Sequence, residues 1–329
     1  MSSESTGERD ADPGVSALAK LDFVGPPLNR AQLDDRVSAI AGALDVPVDR
    51  ARVLVGSLVA AQMLPFGTVV KGGIGVKLRL GETGTRATRD VDVVTRDREQ
   101  FLADLNQRLT AGWGTVPPSK GQLKKNADAP PRVAFSGTAR PGKQARPEGV
   151  VPEYLMEPYF ITLEFMGTGW AKVFVEVAQD EIGGLEYADL EPEVAGQVAA
   201  VGAVLGFGVF TAVPLISLEQ QLAQKIHAAT QPESDRAHDL VDIQLLWRAG
   251  TDGGQGLDVP LLGELCRRTF AYRHAHNWPP VVWMPDILDP AYQSARDEAG
   301  PRVVVATLAE ANEWLRQRIA EVVATTPTP

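Results

Sequence analysis

Apolar residues alternate with polar ones in the middle of the chain and recur every three to four positions in most of the rest. Residues 159–165 and 171–178 alternate on either side of Gly167-Thr168-Gly169, which predicts a β-hairpin. In the first third of the chain, helical spacing predicts helices at 29–44, 49–63 and 97–109. Beyond residue 181 the chain is predicted to be mostly helical, with helices at 218–229, 236–249, 261–272 and 304–323.

Changes of composition divide the chain into three parts. Residues 1–22 are small and polar, and we expect them to form a flexible tail. Residues 23–180 contain the predicted strands and form a first domain, while residues 181–329 form a second, helical domain. With 329 residues, 44% of them hydrophobic and 22% charged, the chain is long enough for two globular domains.

The segment 71–95 carries a pattern that suits phosphate chemistry. A predicted strand ends before Gly72 and Gly73, which allow a tight turn, and a short helix follows whose first amides can face a phosphate. Asp90 and Asp92 lie two residues apart on the next predicted strand, so their carboxylates share one face. A Gly-Gly turn or an Asp-x-Asp strand alone is often an ordinary surface feature. Their succession indicates metal-assisted phosphoryl chemistry, because oxygen ligands on one face suit Mg²⁺.

A third acidic residue interrupts the apolar run Val-Phe-Val-Glu-Val in the second strand of the hairpin. This residue, Glu176, either lies at an exposed edge or completes a metal site with Asp90 and Asp92. Glu164 on the neighbouring strand is a competing candidate, and we favour Glu176. Walker A and dinucleotide-binding motifs are absent from the segment that precedes the two aspartates.

A second group of charges lies on the predicted helices of the C-terminal half. Lys225 is surrounded by apolar residues in mid-helix, where an ammonium group needs an anionic partner. Asp239 and Asp242 are three residues apart and share one helix face, which is more often a solvated surface than a site. The partner of Lys225 is therefore either Asp239 in a salt bridge or the phosphates of a ligand. His227 and His238 lack the spacing of zinc ligands.

Composition restricts the compartment and the kind of partner. The net charge of −10 means that the whole protein repels nucleic acid at long range, so a polyanionic substrate needs a local basic patch. A single cysteine, Cys266, excludes an intrachain disulfide and fits a reducing cytosol. The pattern predicts no transmembrane helix and no secretory signal. We therefore expect a cytoplasmic protein without a membrane partner.

The segment 113–152 is rich in proline, glycine and basic residues. We interpret it as a basic insertion that forms an extended loop or an irregular hairpin. It is either a solvated loop or a contact surface for a phosphate backbone. In the second case Lys120, Lys124 and Lys125 are the candidate RNA contacts.

The charged motifs follow one another in a characteristic order. They are Lys71-Gly72-Gly73, Arg86-x-Thr88-x-Asp90-x-Asp92, Lys225 and Arg236-x-x-Asp239-x-x-Asp242. This order resembles the AbiEii-type nucleotidyltransferases, toxins of bacterial toxin-antitoxin and abortive-infection systems that include the MenT toxins. The resemblance runs from about Leu54 to the C-terminus and includes the motif Arg-Thr-Phe-x-x-Arg that starts at Arg268. It implies an α+β fold of the DNA polymerase β superfamily, in which a mixed sheet with flanking helices forms a nucleotidyltransferase domain at 23–180 and the helical C-terminal domain closes a cleft.

The resemblance also implies roles for individual residues. Asp90 and Asp92 would hold Mg²⁺ or Mn²⁺, and Asp239 would lie close to the reacting groups, so the expected catalytic residues are Asp90, Asp92, Lys225 and Asp239. The expected metal ligands are Asp90, Asp92 and Glu176. The residues expected to bind the NTP are Lys71, Gly72, Gly73, Arg86, Thr88 and Lys225. Gly73 and Thr88 stand where many members have serine, and His238 stands where many have lysine.

The function expected from the resemblance is that of a Mg²⁺-dependent nucleotidyltransferase toxin of a type IV-like toxin-antitoxin system. Its donor is an NTP, its acceptor is an RNA, with the 3′ end of tRNA favoured, and its partner is an AbiEi-type antitoxin. One alternative is nucleotidyl transfer to a hydroxyl of a small molecule or a protein. Another is a non-catalytic nucleotide-binding module, which cannot release pyrophosphate in a metal-dependent manner.

Overall fold

The computed structural model describes most of the chain. The described residues are 12–143, 154–180, 182–192, 194–208, 210–252, 256–303 and 305–325. Residues 1–11 of the predicted tail and residues 144–152 of the predicted basic insertion lie outside these ranges. No helix in the described ranges is long and apolar enough to cross a membrane.

Within the described ranges, six strands form one mixed sheet. They are β1 (Val69–Lys71), β2 (Asp90–Thr95), β3 (Trp113–Val116), β4 (Arg132–Pro141), β5 (Glu157–Phe165) and β6 (Thr168–Gln179). Their order in the sheet is β1-β2-β6-β5-β4-β3. β2 and β6 are parallel, whereas every other pair of neighbours is antiparallel. The predicted hairpin is confirmed as the pair β5 and β6.

The α-helices surround this sheet and continue beyond it. They are α1 (Pro13–Leu18), α2 (Arg30–Leu44), α3 (Val48–Ala61), α4 (Gly72–Leu80), α5 (Arg98–Ala111), α6 (Lys120–Lys125), α7 (Gly196–Leu205), α8 (Leu218–Ala229), α9 (Ala237–Asp252), α10 (Val259–Arg273), α11 (Asp289–Ala299) and α12 (Leu308–Thr325). The mixed sheet with flanking helices and a helical C-terminal region confirms the predicted α+β class.

The two parallel strands, β2 and β6, carry apolar side chains on one face and polar side chains on the other. Val91 and Val93 of β2 are fully buried, as are Val175 and Val177 of β6. Alternation along a strand sends the intervening side chains to the opposite face. That opposite face carries the carboxylates of β2 and β6, so the period of two in the sequence places apolar packing and polar chemistry on different sides of one sheet.

The apolar side chains form two clusters, and the change from one to the other does not coincide with the predicted boundary at residue 181. Helix α7 contributes Val198, Val201 and Leu205 to the first cluster, which also contains the core face of the sheet. The second cluster contains the helices from α8 to α12 and begins at Leu218, apart from Val76 of α4. The chain therefore returns to the sheet domain after residue 181 and leaves it near residue 216.

The described part of the predicted flexible tail is folded, so that prediction is wrong for residues 12–22. Asp12 caps α1 by accepting a hydrogen bond from the Gly14 amide at 2.8 Å, and Pro13 provides the fixed φ that suits the first turn. Leu18 at the end of α1 is fully buried in the first cluster. The Asp12 carboxylate also accepts from Gln197 Nε2 at 2.9 Å, which ties the segment to α7.

The basic segment was predicted to form either an extended loop or an irregular hairpin. Its described part forms the irregular hairpin. β3 and β4 pair in an antiparallel manner, and α6 lies between them. Ser119 and Gln122 form a capping box that starts α6. Because β3 and β4 continue the sheet beyond β5, the segment is an edge of the domain rather than an insertion into it.

Candidate active site

The turn from β1 into α4 brings the backbone against the carboxylate strand. Gly72 has φ +62, the left-handed region that favours glycine. A Cβ atom built on Gly72 would overlap the Asp92 carboxylate, and one on Gly73 would lie 2.6 Å from Thr88 Oγ1. Gln221 Nε2 of α8 donates to the Gly72 carbonyl at 2.9 Å. The Gly-Gly motif is therefore required both by the turn and by the close approach of two functional segments.

We expect Gly72→Ala to destabilise the fold and to impair the site. The left-handed backbone alone costs an alanine about 1–2 kcal/mol, and the overlap with Asp92 adds about 1–3 kcal/mol. Gly67→Ala is the matched control, since Gly67 has φ +75 but nothing within 4 Å of an added Cβ. Urea unfolding of both variants tests the prediction. Equal losses of stability in the two variants would show that Asp92 does not limit the space at Gly72.

The three predicted metal ligands lie on two adjacent strands. Asp92 is opposite Glu176 in the parallel register of β2 and β6, and Asp90 precedes Asp92 by two residues on the same face. All three side chains line one cavity of about 500 Å³. Burial is the largest cause that raises the pKa of each of the three carboxyl groups. Asp92 and Asp90 raise the pKa of Glu176 further, as expected for like charges that face one another.

The chemistry of this donor set fits a hard divalent cation. The three carboxylates offer oxygen ligands from rigid neighbouring strands, and a cation would oppose the effect of burial on all three pKa values and relieve the repulsion at Asp92 and Glu176. Among the described residues, however, no three His, Cys, Asp or Glu side chains meet closely enough to hold a metal ion. Asp90 and Asp92 are separated by about 6.6 Å along β2. Closing a ligand set therefore requires rotation of these side chains.

A buried ion cluster faces the carboxylate strands from the C-terminal helices. Lys225 Nζ of α8 lies 2.8 Å from Asp239 Oδ1 and 2.6 Å from Asp242 Oδ2 of α9. Arg86 Nη2, from the loop before β2, lies 2.9 Å from Asp242 Oδ2. Arg236 Nε lies 2.7 Å from Asp239 Oδ2. The cluster joins the sheet domain to the helical region. Two partners were predicted for Lys225, Asp239 or the phosphates of a ligand, and the structure contains the salt bridge to Asp239.

The electrostatics of the cluster favour the charged forms of Lys225 and Asp239. Burial alone would raise the pKa of Asp239, but Lys225 and Arg236 outweigh it and lower that pKa. Burial alone would likewise lower the pKa of Lys225, but Asp239 and Asp242 outweigh it and raise that pKa. Asp239 and Asp242 are almost completely buried. The acidic pair on α9 is therefore not the solvated surface that its spacing most often indicates.

Asp242 and Arg236 are two residues of the site that were not predicted from the sequence. Both belong to the motif Arg236-x-x-Asp239-x-x-Asp242. Their spacing of three residues from Asp239 is the signal that could have identified them. Arg236 also lines both cavities of the site. Asp242 anchors Arg86 and Lys225, and thereby fixes two cations at the cleft.

A second cavity, of about 250 Å³, adjoins the first. Both cavities are lined by Gly72, Asp92, Met156, Lys225 and Arg236. Of these two cavities, Lys71 lines the smaller, and the larger is also lined by Gly73, Arg86 and Thr88. The fold thus brings together every predicted catalytic, metal-binding and nucleotide-binding residue around one glycine turn.

The predicted RNA contacts lie elsewhere. Lys120, Lys124 and Lys125 are exposed on α6, beside the edge strand β3, which is four strand positions from β2. At about 4.8 Å per strand, β3 lies about 19 Å from the strand of Asp90 and Asp92 and about 14 Å from the strand of Glu176. They do not line either cavity of the site.

His238 also lines the larger cavity. Its Nε2 atom lies 3.7 Å from Asp239 Oδ1. Burial is the main cause that lowers the pKa of His238, and Asp239 opposes it. The ring is therefore neutral at physiological pH. Many AbiEii-type proteins have a lysine at this position. A neutral His238 does not supply the positive charge that this lysine would bring to the cleft.

Comparison with known proteins identifies the family and the fold of the chain. Residues 58–318 match the family model described as nucleotidyl transferase AbiEii toxin, type IV TA system. The structure resembles MenT4, a nucleotidyltransferase toxin of Mycobacterium tuberculosis H37Rv, with a TM-score of 0.50 and 16% identity over 90% of each chain. It shows a weaker likeness to a putative nucleotidyltransferase of Helicobacter pylori, with a TM-score of 0.40 and 11% identity over 82% of this chain and 91% of the other. A search of curated protein sequences found no match.

The family model covers more than three quarters of the chain and includes all the residues that line the two cavities. The likeness to MenT4 supports the same fold over nearly the whole length of both proteins. The chain therefore belongs to the AbiEii family of nucleotidyltransferase toxins of type IV toxin-antitoxin systems.

Proposed function

We propose that this toxin transfers a nucleoside monophosphate from an NTP to an RNA, and that the acceptor is the 3′ end of tRNA. The observation that carries the proposal is the meeting of two groups at the Gly72 turn. The carboxylates of β2 and β6 and the cations held by α8 and α9 line the same cavity beside the turn. Nucleotidyl transfer needs both, because the acceptor hydroxyl must lose its proton while charge develops on the departing pyrophosphate.

We assign the metal-binding role to Asp90, Asp92 and Glu176, with Mg²⁺ or Mn²⁺ as the cation. When bound, the cation would lower the pKa of the acceptor hydroxyl and stabilise the charge on the phosphate oxygens. The raised pKa of Glu176 also suits this residue to accept a proton from the hydroxyl.

The phosphate-binding role falls to the turn and to the cations. Gly72 and Gly73 open α4, so the first amides of this helix are available to an anion. Lys71, Thr88 and Arg86 line the two cavities beside the turn. Lys225 belongs to the buried cluster and would reach the phosphates from α8.

Asp239 acts in this proposal chiefly as a positioning residue. It holds Lys225 and Arg236 at 2.8 and 2.7 Å, and its own carboxylate is fully buried. Fixed cations stabilise a developing negative charge without having to reorganise during the reaction. Asp239 therefore contributes to catalysis by orienting two cations at the cleft.

We further propose that the exposed lysines of α6 contact the body of the tRNA. Their distance from the cleft suits an extended polyanion whose 3′ end lies in the site. Changing Lys120, Lys124 and Lys125 to glutamine should weaken tRNA binding and reduce its salt dependence by up to three charges. A control with Lys20, Lys172 and Arg248 changed to glutamine carries the same change of charge at scattered positions. Equal affinity of the two variants across salt concentrations would refute the contact.

The remaining partners follow from membership of the family. A type IV system includes an antitoxin, and we propose an AbiEi-type protein in this role. The single cysteine of the chain supports action in the reducing cytoplasm, where both tRNA and NTPs are present.

The proposed function is tested by incubating the protein with each of four labelled NTPs and Mg²⁺, first with purified tRNA and then with total RNA, protein and small metabolites. We expect label in tRNA, located at its 3′ end by digestion. Label found only in protein or metabolites would overturn the acceptor. Absence of metal-dependent pyrophosphate release with every acceptor would overturn the enzyme function itself.

A further inference from the structure

The smaller cavity has a wall that the roles assigned above do not use. On the side of the sheet and α9 it is lined by Lys71, Asp92 and Arg236. Among the lining residues of α8 and α10, Lys225 and Arg273 are cationic, whereas Gln221, Gln224 and Thr269 carry uncharged polar groups and form a neutral wall. The cavity therefore combines charged groups with a neutral, hydrogen-bonding wall.

The neutral wall contains buried polar atoms whose hydrogen-bonding capacity is unused. Among the described residues, Gln221 Oε1, His227 Nε2 and Thr269 Oγ1 are buried and have no hydrogen-bond partner. The three residues are 1%, 5% and 5% exposed. Buried polar atoms are almost always paired in folded proteins, because leaving them unpaired is costly. Three such atoms around one cavity indicate a ligand that supplies the missing partners.

Each of these side chains offers a defined kind of hydrogen bond. Gln221 Nε2 donates to the Gly72 carbonyl at 2.9 Å, so its Oε1 atom is left to accept. The Thr269 hydroxyl can donate or accept after rotation about χ1. Burial is the main cause that lowers the pKa of His227 to about 3, so its ring is neutral and Nε2 donates or accepts according to tautomer.

Aromatic and thioether side chains complete the cavity. Tyr154 and Met156 line it from the segment that leads into β5. The ring of Tyr154 is held against Tyr272, with a centroid distance of 5.1 Å, and Arg273 lies 5.0 Å from its centroid. A fixed ring of this kind provides a flat surface on which a nucleobase can pack.

We propose that this wall is the nucleoside-recognition subsite of the enzyme and that Gln221, Gln224 and Thr269 determine which NTP is used. The inference rests on the proposed function, since the phosphates of the same NTP would lie towards Lys71, Lys225 and Arg236. A neutral wall with mixed donors and acceptors suits the polar edge of a base, whereas the cationic groups suit the phosphates. Base discrimination arises because a mismatched base leaves buried groups such as Gln221 Oε1 and Thr269 Oγ1 unpaired.

The test uses two substitutions that remove polar groups at nearly constant size, Thr269→Val and Gln224→Leu. The matched controls are Thr110→Val and Gln107→Leu, which alter exposed residues of α5. Calorimetry with the α,β-methylene analogues of ATP, CTP, GTP and UTP in Mg²⁺ measures binding without an acceptor. Incorporation of the four labelled NTPs measures kcat and KM for each protein.

We expect each site variant to bind its preferred nucleotide about 5–30-fold more weakly and to discriminate less among the four bases. The KM for the preferred NTP should rise, whereas kcat should change little, because uniform binding is lost. If the folded site variants show the same preferences among the four NTPs as the control variants, the proposed subsite is wrong. If the wild-type protein transfers no nucleotide, the proposed function is wrong. The subsite is then tested by calorimetry alone, through the comparison of nucleotide binding by the site variants and the control variants.

Discussion

Asp92→Asn is expected to abolish nucleotidyl transfer while making the fold more stable. Asp92 is at the centre of the site, since it lies against the Gly72 turn, faces Glu176 across the β2–β6 register and lines both cavities. Asparagine has nearly the same shape but no charge, so it is a poor ligand for a hard cation. We expect activity to fall by about 10³-fold or more, equivalent to about 4 kcal/mol of transition-state stabilisation.

The gain in stability follows from the pKa of the same group. Burial is the main cause that raises the pKa of Asp92, so its negative charge opposes folding at neutral pH. Removing the charge should raise the melting temperature by about 1–3 °C. Asp104→Asn on α5 is the matched control, since it makes the same change away from the site, and it should preserve activity.

NTP incorporation, growth arrest on expression and thermal unfolding are measured on the same preparations. Because Asp90 is the neighbouring ligand in the proposal, Asp90→Asn should give the same loss of activity. Growth arrest or incorporation at the wild-type level in a folded Asp90→Asn/Asp92→Asn double variant would contradict the proposed mechanism. A loss of activity that accompanies unfolding would instead point to a structural role.

Lys225→Met is expected to cause the largest loss of stability. The substitution leaves Asp239 and Asp242 buried and removes the ammonium group that contacts both. Breaking one partner out of a buried ion cluster costs about 3–5 kcal/mol. Urea unfolding measures this loss, and NTP incorporation below the unfolding transition measures the loss of phosphate binding.

A second variant separates the effect on the fold from the effect on the reaction. Lys225→Met/Asp239→Asn removes a cation and an anion together and leaves Arg86 paired with Asp242, so much of the stability should return. Activity should not return, since the cation at the cleft is still missing. Lys124→Met on the exposed helix α6 is the control for the loss of a lysine. A Lys225→Met protein as stable as wild type would refute the importance of the buried cluster.

The pH dependence of stability has opposite signs in the two halves of the site. The pKa of Asp239 is lowered in the folded protein, so its contribution is fully present above the unfolded value of about 3.9 and is lost as the pH falls below it. The pKa values of Asp90, Asp92 and Glu176 are raised, so these groups oppose folding above their folded pKa values. Their protonation on mild acidification should therefore stabilise the fold before the loss of the Asp239 contacts destabilises it.

Local sequence patterns predicted much of the site, because the relevant periods are short. The period of two in Asp90-Val91-Asp92 places both carboxylates on one face whatever the rest of the chain does. The same period in β6 isolates Glu176 from the buried valines around it. The Gly-Gly turn could be predicted in the same way, since a left-handed backbone favours glycine.

Other features depended on contacts between residues distant in the sequence. The pairing of Asp92 with Glu176 results from a parallel register between strands 84 residues apart. Helix α7 is apolar on most of its surface, so its pattern does not specify the cluster that it joins. The helix at Pro13–Leu18 is too short to be stable alone and forms where Leu18 finds the core.

The sequence by itself determined the order of the motifs, the face of each strand that carries acid and the family to which the chain belongs. Only the tertiary structure decided that Lys225 is paired with Asp239 and Asp242, that Arg86 crosses from the sheet domain to join them, and that uncharged side chains of α8 and α10 line a cavity beside the Gly72 turn. The physical reason is that side-chain periodicity acts over a few residues, whereas the partner of a buried charge is set by how whole elements pack.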